Sequence, residues 1–438
     1  MDESKISQSA RRKVRWHLLP YLFIVYFVAF LDRSSITYAS IGGMDKSLGL
    51  SATTYGLIAG IFFIGYFIFG IPGNMMLERI GARRWIGIIL IGWGAVTLVT
   101  GFVNSAIELS VLRFLLGTAE AALFPGMTLI ITYWVLSRER AAAVALFMIA
   151  PPLANSFGAP VSTFIITQIH QVMGLDGWRW LFILVGIPAV LLGFITFWYL
   201  NDDPSKAKWL TADEKKWLTV ALDEDRLAAS QHGEITAPFK EAFKNKQVWL
   251  MTIMNVFYVM GLYGLTFWLP QMVRSLSSKN STMMVGWLTA IPYLLGAIAL
   301  VLNARSSDAT GERIWHTALS AIVGGIGLFG AALAPNPVVS FLFLCVTAIG
   351  VYAWSGPYWA ITTNIDPRLA AVGLGIVNAL GNLGGFVSPY VVGWLNDKSG
   401  SSQMGMIFLA AALVIAGLIV IMLRRTEVGQ KLILAVKH

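Results

Sequence analysis

Cysteine is almost absent: Cys345 is the single one, so no disulfide can form within the chain. Charge is scarce too. Charged residues make up 13% of the 438, against about 25% in an average soluble domain. The five histidines (His17, His170, His232, His316, His438) are scattered without metal-ligand spacing. No H-E-x-x-H, G-x-S-x-G or phosphate-binding loop occurs, so no catalytic residue, metal site or cofactor is expected and an enzyme is not indicated. Basic stripes away from apolar segments are also missing, which argues against a nucleic-acid partner despite the net charge of +9.

What fills the chain instead is apolar sequence. Hydrophobic residues reach 56% and the mean hydropathy is +0.69. Runs of about 20 apolar residues are long enough to cross a bilayer as helices. Twelve are expected, over 17–41, 54–77, 85–103, 108–133, 141–170, 179–200, 248–273, 284–303, 315–334, 338–360, 369–394 and 404–423. The first follows "RRKVRW". It is too long for the core of a signal peptide and lacks a small-residue cleavage site, so it reads as a membrane helix with a basic flank. The fold class is therefore an all-α polytopic membrane protein.

Between the sixth and seventh runs lies the one long polar stretch, 201–247. Thr211 and Glu214 have the spacing of a capping box, with a partly amphipathic helix behind them. About 45 residues make a meagre core, so this stretch is expected to be a cytoplasmic linker. It divides an N-terminal six-helix bundle, 1–200, from a C-terminal bundle with tail, 248–438. With the N-terminus inside, roughly 25 of the 32 Lys and Arg fall on the cytoplasmic side, which places both termini there.

The halves repeat. "ERIGARRWI" (78–86) corresponds to "SDATGERIWH" (307–316), "LANSFG" (153–158) to "LGNLGG" (380–385), and Pro125 to Pro357. Nearly one offset relates all three. Six helices per half keep the orientation, so the repeat is parallel, about an axis along the membrane normal.

Four ionisable residues stand well inside the apolar runs: Asp32 and Arg33 in the first, Arg113 and Glu120 in the fourth. Charges at such depth usually face a bundle interior and mark ion or substrate pathways. Arg113 and Glu120 are seven residues apart, on one helix face about 10 Å from each other. The four sum to zero. With both acids ionised the arginines can pair internally, and protonating the acids frees positive charge for an incoming carboxylate, which arginine grips well. At the repeat offset the equivalents are uncharged: Tyr263, Gly264, Cys345 and Tyr352. The charges are thus peculiar to the N-terminal half. An ion pair that merely fixes the first helix to the fourth is the competing reading.

Taken in order, "FLDRSSI", "FFIGYFIFGIPGN", "RFLLGTAEAALFPG", "GWRWLFILVGIPA", "KAKWLTADEKKWL" and "NALGNLGGFVSPY" resemble the major facilitator superfamily, across essentially the whole chain. Asn74, Glu78, Arg79, Gly81, Arg83 and Arg84 occupy that family's loop signature after the second helix, with Asn for its first glycine and Glu for its Asp. Those departures resemble the anion:cation symporter branch. The resemblance implies two pseudo-symmetric six-helix bundles. It also implies alternating access and a small organic anion (a sugar acid, a tartrate-like acid or an aromatic acid) imported with H+ across the cell membrane by a functional monomer in the lipid bilayer. Sodium coupling or uncoupled exchange is the alternative. By the same resemblance Asp32 and Glu120 carry protons and Arg33 and Arg113 engage the anion; which arginine touches it stays open.

Further binding candidates are Tyr66, Tyr263, Tyr352, Asn378 and Asn382. The two asparagines are four residues apart and share a face, where substrate binding and interhelical bonding are equally good readings. Glu78, Arg79, Arg83, Arg84, Asp308 and Arg313 stand at cytoplasmic helix ends. There they are expected to cap or pair across the halves and so to gate the cytoplasmic side.

Overall fold

The computed structural model describes residues 3–231, 239–276, 281–362, 367–426 and Gln430. Parts of the expected linker (232–238) and of the expected tail (427–429 and 431–438) lie outside the described residues. Among the described residues twelve helices are long and apolar enough to cross a membrane: Lys5–Ser47, Ala52–Ile80, Ala82–Thr100, Ala106–Trp134, Ser137–Gln168, Gly177–Tyr199, Lys246–Ser275, Thr282–Thr310, Ile314–Leu333, Pro337–Thr362, Val372–Ser399 and Gln403–Leu423. They are called the first to the twelfth helix below. The expected runs match these in number and place, and differ mainly in length. The first helix starts about a dozen residues before position 17 and is kinked near its end at Gly43, whose φ is +103°.

Four helices expected to be continuous are broken near their middles. The fourth divides at Ala121–Ala122, the fifth at Met148–Ile149, the tenth at Trp354 and the eleventh at Asn382–Leu383. Proline explains three of them. It lacks an N–H and its ring clashes with the carbonyl four residues earlier. Counting back four from Pro125, Pro151, Pro152 and Pro357 reaches Ala121, Phe147, Met148 and Ala353, each at or beside a break. The eleventh helix breaks where Gly381, Gly384 and Gly385 cluster, residues that hold a helix weakly. The fourth and tenth helices are repeat equivalents, and so are the fifth and eleventh.

Without a hydrophobic contrast between helix and lipid, close packing holds the bundle. The third and sixth helices meet through Gly94 and Gly186, where a Cβ on either would come within 3 Å of the other's carbonyl oxygen. Gly81 and Gly311 end the second and eighth helices with φ of +88° and +69°, a backbone region costly for other residues. The repeat pairing of these two glycines thus has a physical basis.

The capping box forms. The Thr211 amide donates to Glu214 Oε2 (2.8 Å), and the Glu214 amide donates to Thr211 Oγ1 (3.3 Å). The helix behind it, Ala212–Gln231, lies against the first helix. Lys13 Nζ and Ser9 Oγ both donate to Glu214, at 2.8 and 2.7 Å. Burial pushes the Glu214 carboxyl pKa up, but the Lys13 ammonium, the Ser9 hydroxyl and the Thr211 amide outweigh it and hold it down at about 2. Asp225 in the same helix accepts from Ser137 and Arg140 of the fifth helix. The short helix Phe239–Lys244 instead packs on the seventh and eleventh helices, so the linker is shared between the two bundles.

Candidate functional site

A central cavity of about 1110 Å³, including its mouth, opens between the bundles. Its walls come from the first, second, fourth, fifth, seventh, eighth, tenth and eleventh helices, and the four helix breaks border it. On the side away from the linker the bundles touch. Thr37 Oγ1 and Tyr55 OH both donate to the Phe267 carbonyl, at 2.7 and 2.9 Å. Gln271 donates to Ser40 (2.6 Å), Arg274 to the Ile41 carbonyl (2.5 Å), and Ser156 to the Ala290 carbonyl (2.9 Å). At the rim, Asp397 of the eleventh helix accepts from the amides of Ala52 and Thr53 at the start of the second.

Arg33 and Glu120 face the cavity as a pair. Arg33 donates to Glu120 Oε2 through Nη2 (2.5 Å) and Nε (3.2 Å). Its Nη1 donates to the Tyr263 hydroxyl of the other bundle (2.8 Å), and its guanidinium lies over the rings of Phe30 and Phe62. Glu120 is the last residue before the Pro125-induced break, and its Oε1 has no hydrogen-bond partner among the described residues. Breaking a buried pair by removing one partner costs about 3–5 kcal/mol.

Asp32 and Arg113 do not line the cavity. Neighbouring residues on a helix project about 100° apart, and Asp32 turns from Arg33 toward the third helix. There Trp93 Nε1 and Thr97 Oγ1 (2.6 Å) donate to its Oδ2. Asp32 and Arg33 do not pair with each other; an ion pair between the first and fourth helices, the competing reading, is present as Arg33–Glu120. Arg113 is 2% exposed and lies against Phe62; its Nε and Nη2 make no hydrogen bond among the described residues.

The remaining expected ligands, Tyr66, Tyr263, Tyr352, Asn378 and Asn382, all reach the cavity wall. Asn155 Nδ2 donates to Tyr352 OH (3.1 Å), which joins the bundles at the cavity floor. Asn382 Nδ2 donates to the carbonyl and the side-chain oxygen of Asn378, both at 2.8 Å. The asparagines thus bond each other at the helix break and still border the cavity. At the linker face Arg313 pairs with Asp308 at the end of the eighth helix (2.5 Å), within one half and not across the halves. Glu78, Arg79, Arg83 and Arg84 form no ion pair among the described residues. The Arg83 amide is held by Asp202 Oδ1 (2.8 Å).

The sequence reading did not single out Asn255, Tyr258, Leu262, Thr266 or Tyr358 of the wall. Tyr258, Trp354 and Tyr358 form a stacked aromatic wall, with centroids 4.6 and 5.3 Å apart. Asn255, Tyr258, Leu262 and Thr266 descend one face of the seventh helix, and Tyr26, Phe30 and Arg33 one face of the first. The signal was present as polar and aromatic residues at spacings of three and four within apolar runs.

Twelve membrane-crossing helices in two bundles around a charged central cavity define a membrane transporter. Known proteins agree. The Major Facilitator Superfamily profile matches residues 22–389. The chain is 37% identical to a putative tartrate transporter of Agrobacterium vitis, over 97% of this chain and 96% of that one. It is 34% identical to a quinolone resistance transporter of Acinetobacter baumannii, over 92% of each. The xylose transporter XylE of E. coli, in a partially occluded inward-open conformation, superposes with a TM-score of 0.75 at 15% identity, covering 95% of this chain and 98% of that one. The chain belongs to the major facilitator superfamily.

Proposed function

We propose that the protein imports a small organic anion across the cell membrane by proton symport, working as a monomer by alternating access. The observation that carries this reading is the Arg33–Glu120 pair on the cavity wall. Arg33 is a permanent cation within reach of a bound carboxylate, and its partner is a group that can take up a proton. An anion that binds Arg33 competes with Glu120, and protonating Glu120 removes the competitor. Substrate and proton therefore favour each other's binding, which is what symport requires. The similarity to a putative tartrate transporter fits this chemistry, since tartrate carries carboxylates.

Orientation follows the excess of Lys and Arg on the linker side, which puts that side in the cytoplasm. The cavity then faces inward and the Asp397 contact lies outside. Glu78, Arg79, Arg83, Arg84, Asp308 and Arg313 would engage across the cytoplasmic side in the opposite state. Arg33 is the direct anion ligand, and Tyr66, Tyr263, Tyr352, Asn378 and Asn382 surround the anion; Arg113 and Asp32 act from behind.

Purified protein in liposomes, given a pH gradient and labelled tartrate or other organic acids, tests this. Glu120→Gln is expected to lose gradient-driven accumulation and to retain exchange of preloaded substrate. Accumulation unchanged in Glu120→Gln would remove that residue from coupling. Uptake that ignores pH and follows sodium would replace the coupling ion, and a wild type that only exchanges would make it an exchanger.

A further inference from the structure

One ring touches both buried guanidiniums. Phe62 of the second helix is fully buried; Arg33 Cζ lies 4.7 Å and Arg113 Cζ 5.3 Å from its centroid. Gly117 lets it approach the fourth helix so closely, because a Cβ there would stand 1.9 Å from the Phe62 carbonyl oxygen. A cation gains by sitting over an aromatic ring, and gains more where water is excluded.

The hydrogen-bond ledger around the ring is incomplete. Arg113 Nε and Nη2 are buried donors without partners, and Glu120 Oε1 and Asp32 Oδ1 are buried acceptors without one, among the described residues. Arg113 and Glu120 project from one face of the same helix, seven residues apart. Unpaired buried groups of this kind cost about 1–3 kcal/mol each, so Arg113 gains by reaching a carboxylate where the way is open. Phe62 fills the space that both cations border. The charged and titratable groups around Glu120 are Arg33, Asp32 and Tyr26 of the first helix, Tyr66 of the second, Arg113 of its own, and Tyr263 of the seventh through Arg33. Arg33 and Arg113 are the cations among them.

We propose that Phe62 is a positioning residue for proton coupling: its ring keeps the Arg113 guanidinium from hydrogen-bonding Glu120, so that Arg33 is the cation that pairs with that carboxylate. This rests on the proton-symport reading. The cavity pair opens when substrate takes Arg33, while Arg113 and Asp32 stay off the cavity wall. If Arg113 reached Glu120, a second guanidinium would hold the carboxylate ionised, and substrate capture by Arg33 would no longer leave it ready to accept a proton.

The test compares Phe62→Leu and Phe62→Met, which remove the ring face, with Phe62→Tyr, which keeps it. Uptake is measured against pH in liposomes, beside substrate exchange without a gradient. Wild type is measured first; uptake that ignores pH there overturns proton coupling itself, before any variant is read. With coupling established, both aliphatic variants are expected to move the pH profile about one unit toward acid, about a tenfold change in proton affinity, while exchange continues. Phe62→Tyr is expected to follow wild type. Adding Arg113→Gln to Phe62→Leu removes the intruding guanidinium and should restore the wild-type profile. An unmoved profile in the aliphatic variants, equal loss of exchange and accumulation, or no restoration by Arg113→Gln would overturn the proposal. So would failure of both aliphatic variants to fold, since the ring would then be a packing element alone.

Discussion

The contact between Asp397 and the start of the second helix sets a measurable balance between the two faces. An α-helix leaves its first amides without partners. Here Ser51 Oγ accepts from Thr54, and the Asp397 carboxylate takes the next two, Ala52 (3.1 Å) and Thr53 (2.8 Å), with the Thr53 hydroxyl at 2.5 Å. The acid belongs to one bundle and the amides to the other, so the cap exists only while this face is closed. Losing a helix cap costs about 0.5–2 kcal/mol, and the charge at a helix N-terminus contributes about 0.3–1 kcal/mol of such a term at an exposed site. Asp397→Ala should therefore weaken the closed face by about 1–2 kcal/mol. At 1.4 kcal/mol per factor of ten, that is about a 5- to 30-fold shift toward the state open on this face. Asp397→Asn keeps one acceptor oxygen and should shift it less. Because Asp397 is exposed, salt should shrink the difference between Asp and Asn. Spin labels at Ser47 and Met404, one exposed position on each bundle near this face, read the opening as a distance distribution in a background where Cys345 is replaced by serine. If Asp397→Ala and wild type give the same distribution, the contact contributes nothing to the balance and the reasoning fails.

Two further outcomes follow from the geometry. Arg113→Gln should leave carboxylate affinity, read by thermal shift with added organic acid, within a few-fold of wild type while Arg33→Gln abolishes it, because only Arg33 is on the cavity wall; lost affinity in Arg113→Gln would put that guanidinium in contact with the anion. The Glu214 clamp should hold throughout physiological pH. Its folded-state pKa of about 2 lies below the ordinary carboxylate value, so its contribution is fully present above about pH 4.3 and fades as pH falls toward 2. Limited proteolysis of the linker should therefore be slow and flat from pH 8 to 5 in wild type and faster over the whole range in Glu214→Gln.

The twelve helices were legible because a lipid-spanning run must be apolar over about 20 residues, and nothing else in the chain resembles one. The breaks were not, because hydropathy is the same on either side of a turn. Pro125, Pro151, Pro152 and Pro357 carried that information as backbone chemistry, not as pattern. The four buried charges stood out for the same reason as the spans. Their partners did not, since adjacency in sequence means divergence on a helix. Asp32 and Arg33 thus serve different neighbours, one on the third helix and one on the fourth.

The repeat accounts for much of the cavity floor. Arg33 meets Tyr263, Thr37 meets Phe267, Ser40 meets Gln271, and Ile41 meets Arg274. Each pair joins near-equivalent positions of the first and seventh helices, at the offset that relates the halves. Helices that lie beside a pseudo-twofold axis bring a residue and its own equivalent face to face. A strictly duplicated Asp-Arg would therefore set like charges against each other there, at a cost rising steeply in a low-dielectric interior. Tyrosine at 263 and glycine at 264 remove that conflict, and the tyrosine hydroxyl gives Arg33 an acceptor from the opposite bundle. The loss of charge from the second repeat is in this sense what allows the first repeat's charge to sit at the axis, where both bundles can act on it.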